Sequence, residues 1–244
     1  MAAVLILVTG VSTSRTPAQT RLTINQTTLE EAGQLTPEVS TEELQKILAT
    51  KSQAVVDVRS ATEFAIAHIP GSINLYEKEV ERVSQLFPDK ATALVFYCNG
   101  PYCGKSKRLS EQLVKLGYSK VRRYQLGLPV WRALGNSVQT DLEGFRYVFA
   151  KDKTAVFVDA RTASEFANAT IPGAVNIRAG EAEKANEDGR LPYRDKGTRV
   201  IVFADSAGDA RVVAEQIAKK AYWNSSYFGG SLEELRGIVS TTPR

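Results

Sequence analysis

Apolar runs of four or five residues recur along the chain, each followed by a polar stretch with helical spacing. Ala54-Val55-Val56-Asp57-Val58 and Ala93 to Tyr97 are nearly continuous, as strands buried on both faces are. Ile73 and Leu75 begin a further strand after the Pro70-Gly71 turn. Ser60 to Ala67 predicts a short helix. Ser106 to Leu116 predicts a longer one, with Leu109, Leu113 and Leu116 on one stripe. Upstream, Ser40 or Thr41 caps a helix running through Leu48, with Glu43 or Glu42 as the acid of a capping box. Strands alternating with helices predict an α/β fold, a parallel sheet flanked by helices with functional loops at the carboxyl ends of its strands.

The pattern occurs twice. Residues 57–75 and 159–177 match at 11 of 19 positions, at an offset of 102. Leu94 to Cys98 then aligns with Ile201 to Asp205 at an offset of 107, which puts five extra residues into the polar stretch Glu181 to Gly197. The period is far too long for a solenoid, so the chain reads as two copies of one domain, at 37–139 and 145–244. Residues 1–20 open with the apolar run Met1 to Val11, too short for a bilayer span and similar to the core of an export signal, although no basic residue precedes it. Export to the periplasm or outside the cell is the expectation, with a cytoplasmic chain as the alternative. Residues 21–36, within the polar stretch Thr16 to Val39, read as a mobile linker.

Composition narrows the chemistry. The 244 residues are 43% hydrophobic and 24% charged, an ordinary globular balance. Two cysteines are too few for a disulfide scaffold, and a single histidine excludes a metal site of several histidines. The net charge of +4 points to neither nucleic acid nor membrane. It is unevenly spread, because residues 98–139 carry eight basic side chains against Glu111 alone.

That basic segment opens on the loop Cys98-Asn99-Gly100-Pro101-Tyr102-Cys103-Gly104-Lys105-Ser106, between a buried strand and a helix. Its glycines allow a curved backbone whose N–H groups form an anion nest, and the following helix adds its positive end. A thiol there is expected to titrate at about 7 or below rather than the usual ~8.5. Cys98 is the candidate nucleophile. Asn99, Gly100, Tyr102, Cys103, Gly104, Lys105 and Ser106 are the candidate substrate contacts. Two cysteines in one loop supply too few ligands for zinc. Asp57, Arg59 and Glu63 recur as Asp159, Arg161 and Glu165 and so read as structural, with Arg59 and Glu63 spaced to pair on a helix. His68 is replaced by Thr170 in the second copy, and Trp131 reads as a core anchor.

The string D-V-R-x-x-x-E-F-x-x-x-H-I-P-G-S-I-N-L, followed by an apolar strand ending in Y-C and a Gly-rich loop, resembles the rhodanese (sulfurtransferase) family over about 200 residues, as a tandem pair. The resemblance implies two rhodanese-like domains and a persulfide on Cys98. Sulfur would come from thiosulfate or another small anionic donor and pass to cyanide, sulfite, a thiol or a protein acceptor. It implies no metal or organic cofactor, no nucleic-acid partner and no membrane span. The alignment puts Asp205 where Cys98 stands, so the second copy is expected to be inactive. Two alternatives remain: a redox or sulfur-carrier module using Cys98 and Cys103, and a phosphatase or arsenate-reductase-like enzyme. The phosphatases built on this fold use C-x5-R, whereas this loop is C-x6-K.

Overall fold

The computed structural model describes residues 22–239; the signal-like segment 1–20 lies outside them. In the first repeat, α1 (Thr41–Thr50), β1 (Ala54–Asp57), α2 (Ala61–Ile66), β2 (Ile73–Asn74), α3 (Val83–Leu86), β3 (Leu94–Tyr97), α4 (Lys105–Lys115), β4 (Val121–Tyr124) and α5 (Gly127–Ala133) follow in order. The second repeat runs β5 (Gln139–Thr140), α6 (Leu142–Lys151), β6 (Val156–Asp159), α7 (Ala163–Asn168), β7 (Val175–Asn176), α8 (Ala182–Glu187), β8 (Val200–Phe203), α9 (Ala207–Ala218), β9 (Ser225–Phe228) and α10 (Leu232–Val239). Two all-parallel sheets result, ordered β2-β1-β3-β4 and β5-β9-β8-β6-β7. No described helix is long and apolar enough to cross a membrane.

Local chemistry sets the elements. Ser40 caps α1 and Ser60 caps α2, each in a full capping box with Glu43 or Glu63. β1, β3, β6 and β8 are apolar on both faces because helices cover both sides of each sheet. On α4, Leu109 and Leu113 enter the core while Leu116, the helix cap, stays 49% exposed, so the predicted stripe ends one turn early.

Both sheets gain an edge piece from the segment before the first helix of the repeat. Pro37 to Val39 pairs with β4 through Arg123, as β5 pairs with β9. Gln139, at the end of the first sequence unit, therefore lies in the second sheet. The polar stretch before Pro37, expected to be a mobile linker, places Glu31 and Gln34 against the buried Arg123.

The repeats meet at the end of α2. Thr140 Oγ1 donates to the Ile66 carbonyl, and His68 and Gln139 exchange backbone hydrogen bonds of 3.0 Å. His68 stacks on Phe64 at 4.0 Å and sits 3.8 Å from Asp141, at the seam between repeats.

Candidate active site

Cys98 follows β3, and its side chain turns into the core, 1% exposed, in a cluster with Val56, Val58, Leu75 and Leu109. Its Sγ donates to the Cys103 carbonyl at 3.2 Å and lies 3.3 Å from Ser106 Oγ. The depressed thiol predicted from the basic loop is not what forms. Burial, with a hydrogen bond to the Cys103 side chain and against the lowering effect of Ser106, pushes the Cys98 thiol up to about 11. A thiolate in apolar surroundings loses hydration, and a carbonyl partner favours the protonated sulfur. Iodoacetamide should therefore label Cys98 slowly near neutral pH, and the rate should keep climbing towards pH 11. A plateau already reached near ~8.5, the ordinary thiol value, would contradict this burial.

The inner face of the loop is held by a residue that no sequence motif marks. Gln125, buried just after β4, donates through Nε2 to the Pro101 and Cys103 carbonyls at 2.9 and 3.3 Å. Its Oε1 accepts from Ser106 Oγ and from Arg123 Nη1. The available signal was an uncharged amide between a buried strand and the Leu126-Gly127 turn. Gly127 has φ +66°, and a Cβ there would sit 2.6 Å from the Cys98 carbonyl and overlap the Gly100 backbone. Gly127→Ala should cost about 1–3 kcal/mol and displace the loop, read as a lower urea midpoint with faster Cys98 labelling.

The outer face is polar. Asn99 donates to Glu63 at 2.7 Å and faces Arg59 Nη1 at 3.5 Å. Against the cost of burial, Asn99 and Ser60 hold the Glu63 carboxyl below its usual range. The predicted Arg59–Glu63 pair does not form, because Arg59 precedes α2 and locks onto Asp57 through Nε and Nη2, at 2.9 and 2.5 Å. Tyr102 is fully exposed at the loop tip. Gly104 precedes α4, and Lys105 opens it with Nζ 6.0 Å from the Tyr76 ring centre. Much of the remaining positive charge is matched from outside the segment: Arg108 by Glu77, Lys107 and Arg123 by Glu31, Arg122 by Glu43. Within the loop itself the cation is Lys105, whose charge helps to lower the Glu63 pKa.

The second repeat keeps the scaffold and lacks the loop. Arg161 grips Asp159, and Asn176 donates to the carbonyls of both, as Asn74 does for Asp57 and Arg59. Seven residues, 98–104, join β3 to α4, whereas three, 204–206, join β8 to α9. The sheet register also corrects the sequence alignment by one residue. Asp57 pairs with Tyr97 and Asp159 with Phe203, so Ala204 stands where Cys98 does and Asp205 where Asn99 does. Asp205 accordingly faces Arg161 at 3.8 Å. The apolar runs match almost equally well one residue apart, which is how the slip arises.

Comparison with known families settles the kinship. The rhodanese-like domain model matches residues 40–134 and again 148–237. The chain belongs to the rhodanese-like family. Human thiosulfate:glutathione sulfurtransferase is 33% identical over 109 residues, covering 39% of this chain and 92% of that protein. Thiosulfate sulfurtransferase PspE of Escherichia coli is 37% identical over 68 residues, 27% of this chain and 62% of the relative. Among solved structures, a thiosulfate sulfurtransferase from Pseudomonas aeruginosa aligns with 83% of this chain and 42% of its own, at 21% identity and a TM-score of 0.38. The Asp-Arg-Asn knot is thus common to both rhodanese-like repeats, and the cysteine loop is confined to the first.

Proposed function

We propose that the protein is a sulfurtransferase that carries sulfane sulfur on Cys98. The observation that carries this reading is the placement of the Cys98 thiol at the carboxyl end of β3, within a seven-residue loop where the repeat without this cysteine has three residues. The names of the human and Escherichia coli relatives support thiosulfate as a donor class. Cys98 sulfur attacks the outer sulfur of thiosulfate, the S–S bond breaks, and sulfite leaves with its electron pair. The thiol proton stays on the new persulfide, so atoms and charge balance. A thiolate acceptor or cyanide then attacks the outer persulfide sulfur and returns Cys98. Lys105 and the amino-terminal end of α4 favour the anionic donor. The second repeat, with Ala204 in place of the cysteine, serves as a scaffold partner.

Intact-mass spectrometry of the reduced protein after thiosulfate treatment tests this. One added sulfur mapped to Cys98 supports it; no adduct from thiosulfate or any other persulfide donor overturns it. A second reading, a redox or sulfur-carrier pair, draws on Cys103, a free thiol packed against the core cluster that holds Cys98.

A further inference from the structure

Arg123, on β4, carries a guanidinium with no exposed surface. Its Nη2 donates to Gln34 Oε1 and lies 3.4 Å from Glu31 and 3.8 Å from Glu38. Its Nη1 donates to Gln125 Oε1 at 2.7 Å. Gln125 in turn holds the Pro101 and Cys103 carbonyls, and the Cys103 carbonyl is the acceptor of the Cys98 S–H. One hydrogen-bonded chain therefore runs from the amino-terminal arm to the nucleophile. The second repeat has no counterpart. By sheet register, Tyr227 stands where Arg123 does and Gly229 where Gln125 does. The Asp-Arg-Asn knot occurs in both repeats, whereas this chain of bonds occurs only where there is a cysteine to position.

We propose that Gln125 is a positioning residue for the Cys98 loop, and that residues 31–38 act on the loop through Arg123, so that docking of the arm sets the reactivity of Cys98. While Gln125 Nε2 donates to the Cys103 carbonyl, that oxygen competes less strongly for the thiol proton. With the donor gone, the carbonyl's remaining partner is Cys98, and the protonated sulfur is favoured. The other ionisable groups around the loop are Tyr102 and Cys103 within it, Lys105 at the start of α4, Arg108 against Gly104 with its partner Glu77, and Arg59 and Glu63 acting through Asn99. From α5, the Leu128 amide bonds the Cys98 carbonyl at 3.0 Å. The proposal rests on the sulfurtransferase reading for its biological purpose, but not for its measurement.

The test is the rate of iodoacetamide labelling across pH, with the adduct mapped to Cys98, together with thermal melting, in the full chain. Gln125→Glu keeps acceptors for Arg123 and Ser106 but places a carboxylate against the two loop carbonyls. It should melt close to the parent, because the buried guanidinium gains a carboxylate. It should label about tenfold more slowly near neutral pH, with its pH profile displaced upward. Gln34→Leu, half-buried in the arm, should slow labelling in the same direction by a smaller factor. The double variant should match Gln125→Glu alone, because one chain of bonds is broken twice. Parent-like labelling of Gln125→Glu overturns the proposal, as does full multiplication of the two effects. Should Gln125→Glu fail to fold, parent-like labelling of Gln34→Leu overturns it alone. Labelling that behaves as expected in a protein that takes no sulfur from any persulfide donor would leave the relay standing and remove the sulfurtransferase reading.

Discussion

Cys98→Ser should abolish sulfur transfer, lowering kcat/KM for thiosulfate by about a thousandfold or more. A serine hydroxyl is not ionised at neutral pH and does not hold a sulfane sulfur as a leaving persulfide does. The substitution is nearly isosteric in a side chain that is 1% exposed, so circular dichroism should show an unchanged fold. Cys103→Ser separates the two readings of the loop. Cys103 presents both its backbone carbonyl, which serine retains, and its side chain to the Cys98 sulfur. A persulfide enzyme should keep most of its turnover, within a fewfold. A protein that works through a Cys98–Cys103 pair should lose its response with either change. Cyanide-dependent release of sulfite and thiocyanate from thiosulfate measures the first, and thiol titration after mild oxidation measures the second.

Asp57→Ala should be the most damaging single change to stability in the first repeat. Asp57 is wholly buried and holds Arg59 through Nε, Nη2 and the backbone amide. Removing one partner of a buried pair leaves an unpaired cation and costs about 3–5 kcal/mol. An arginine guanidinium keeps its proton even when buried, so Arg59 will not escape by losing it. The damage should reach the site, because Arg59 faces Asn99 at the start of the Cys98 loop. Asp159→Ala, the matched change in the second repeat, should cost less. Arg161 keeps a second carboxylate, Asp205, at 3.8 Å. Urea unfolding of the two variants side by side checks both the size and the order.

Some features of this chain are set locally and are legible without coordinates. The apolar runs at 54–58 and 93–97, the Ser-x-x-Glu caps and the Pro-Gly turn each depend on neighbours within a few residues, and each appears where expected. So does the duplication, because equal strings fold alike. The Cys98 loop is legible for the same reason: a glycine-rich stretch between strand and helix is itself a local signal.

What the sequence determined, then, is the tandem α/β architecture, the place of Cys98 at a strand end and the loss of its equivalent from the second copy. Only tertiary structure decided the rest. Whether Cys98 is a poised thiolate or a protonated, buried thiol depends on the apolar side chains of β1 and α4 that close over it, and these come from remote parts of the chain. Which acids neutralise the basic segment depends on which surfaces meet, so Glu31, Glu43 and Glu77 could not be assigned in advance. The pairing of Ala204 with the Cys98 position came from strand register, since a continuous apolar run looks the same one residue along. Gln125 is an unremarkable amide until folding brings it within hydrogen-bond reach of two loop carbonyls and a buried arginine. Reactivity at this site is a property of what is packed and bonded around the sulfur, and packing is the one thing a linear string of residues does not contain.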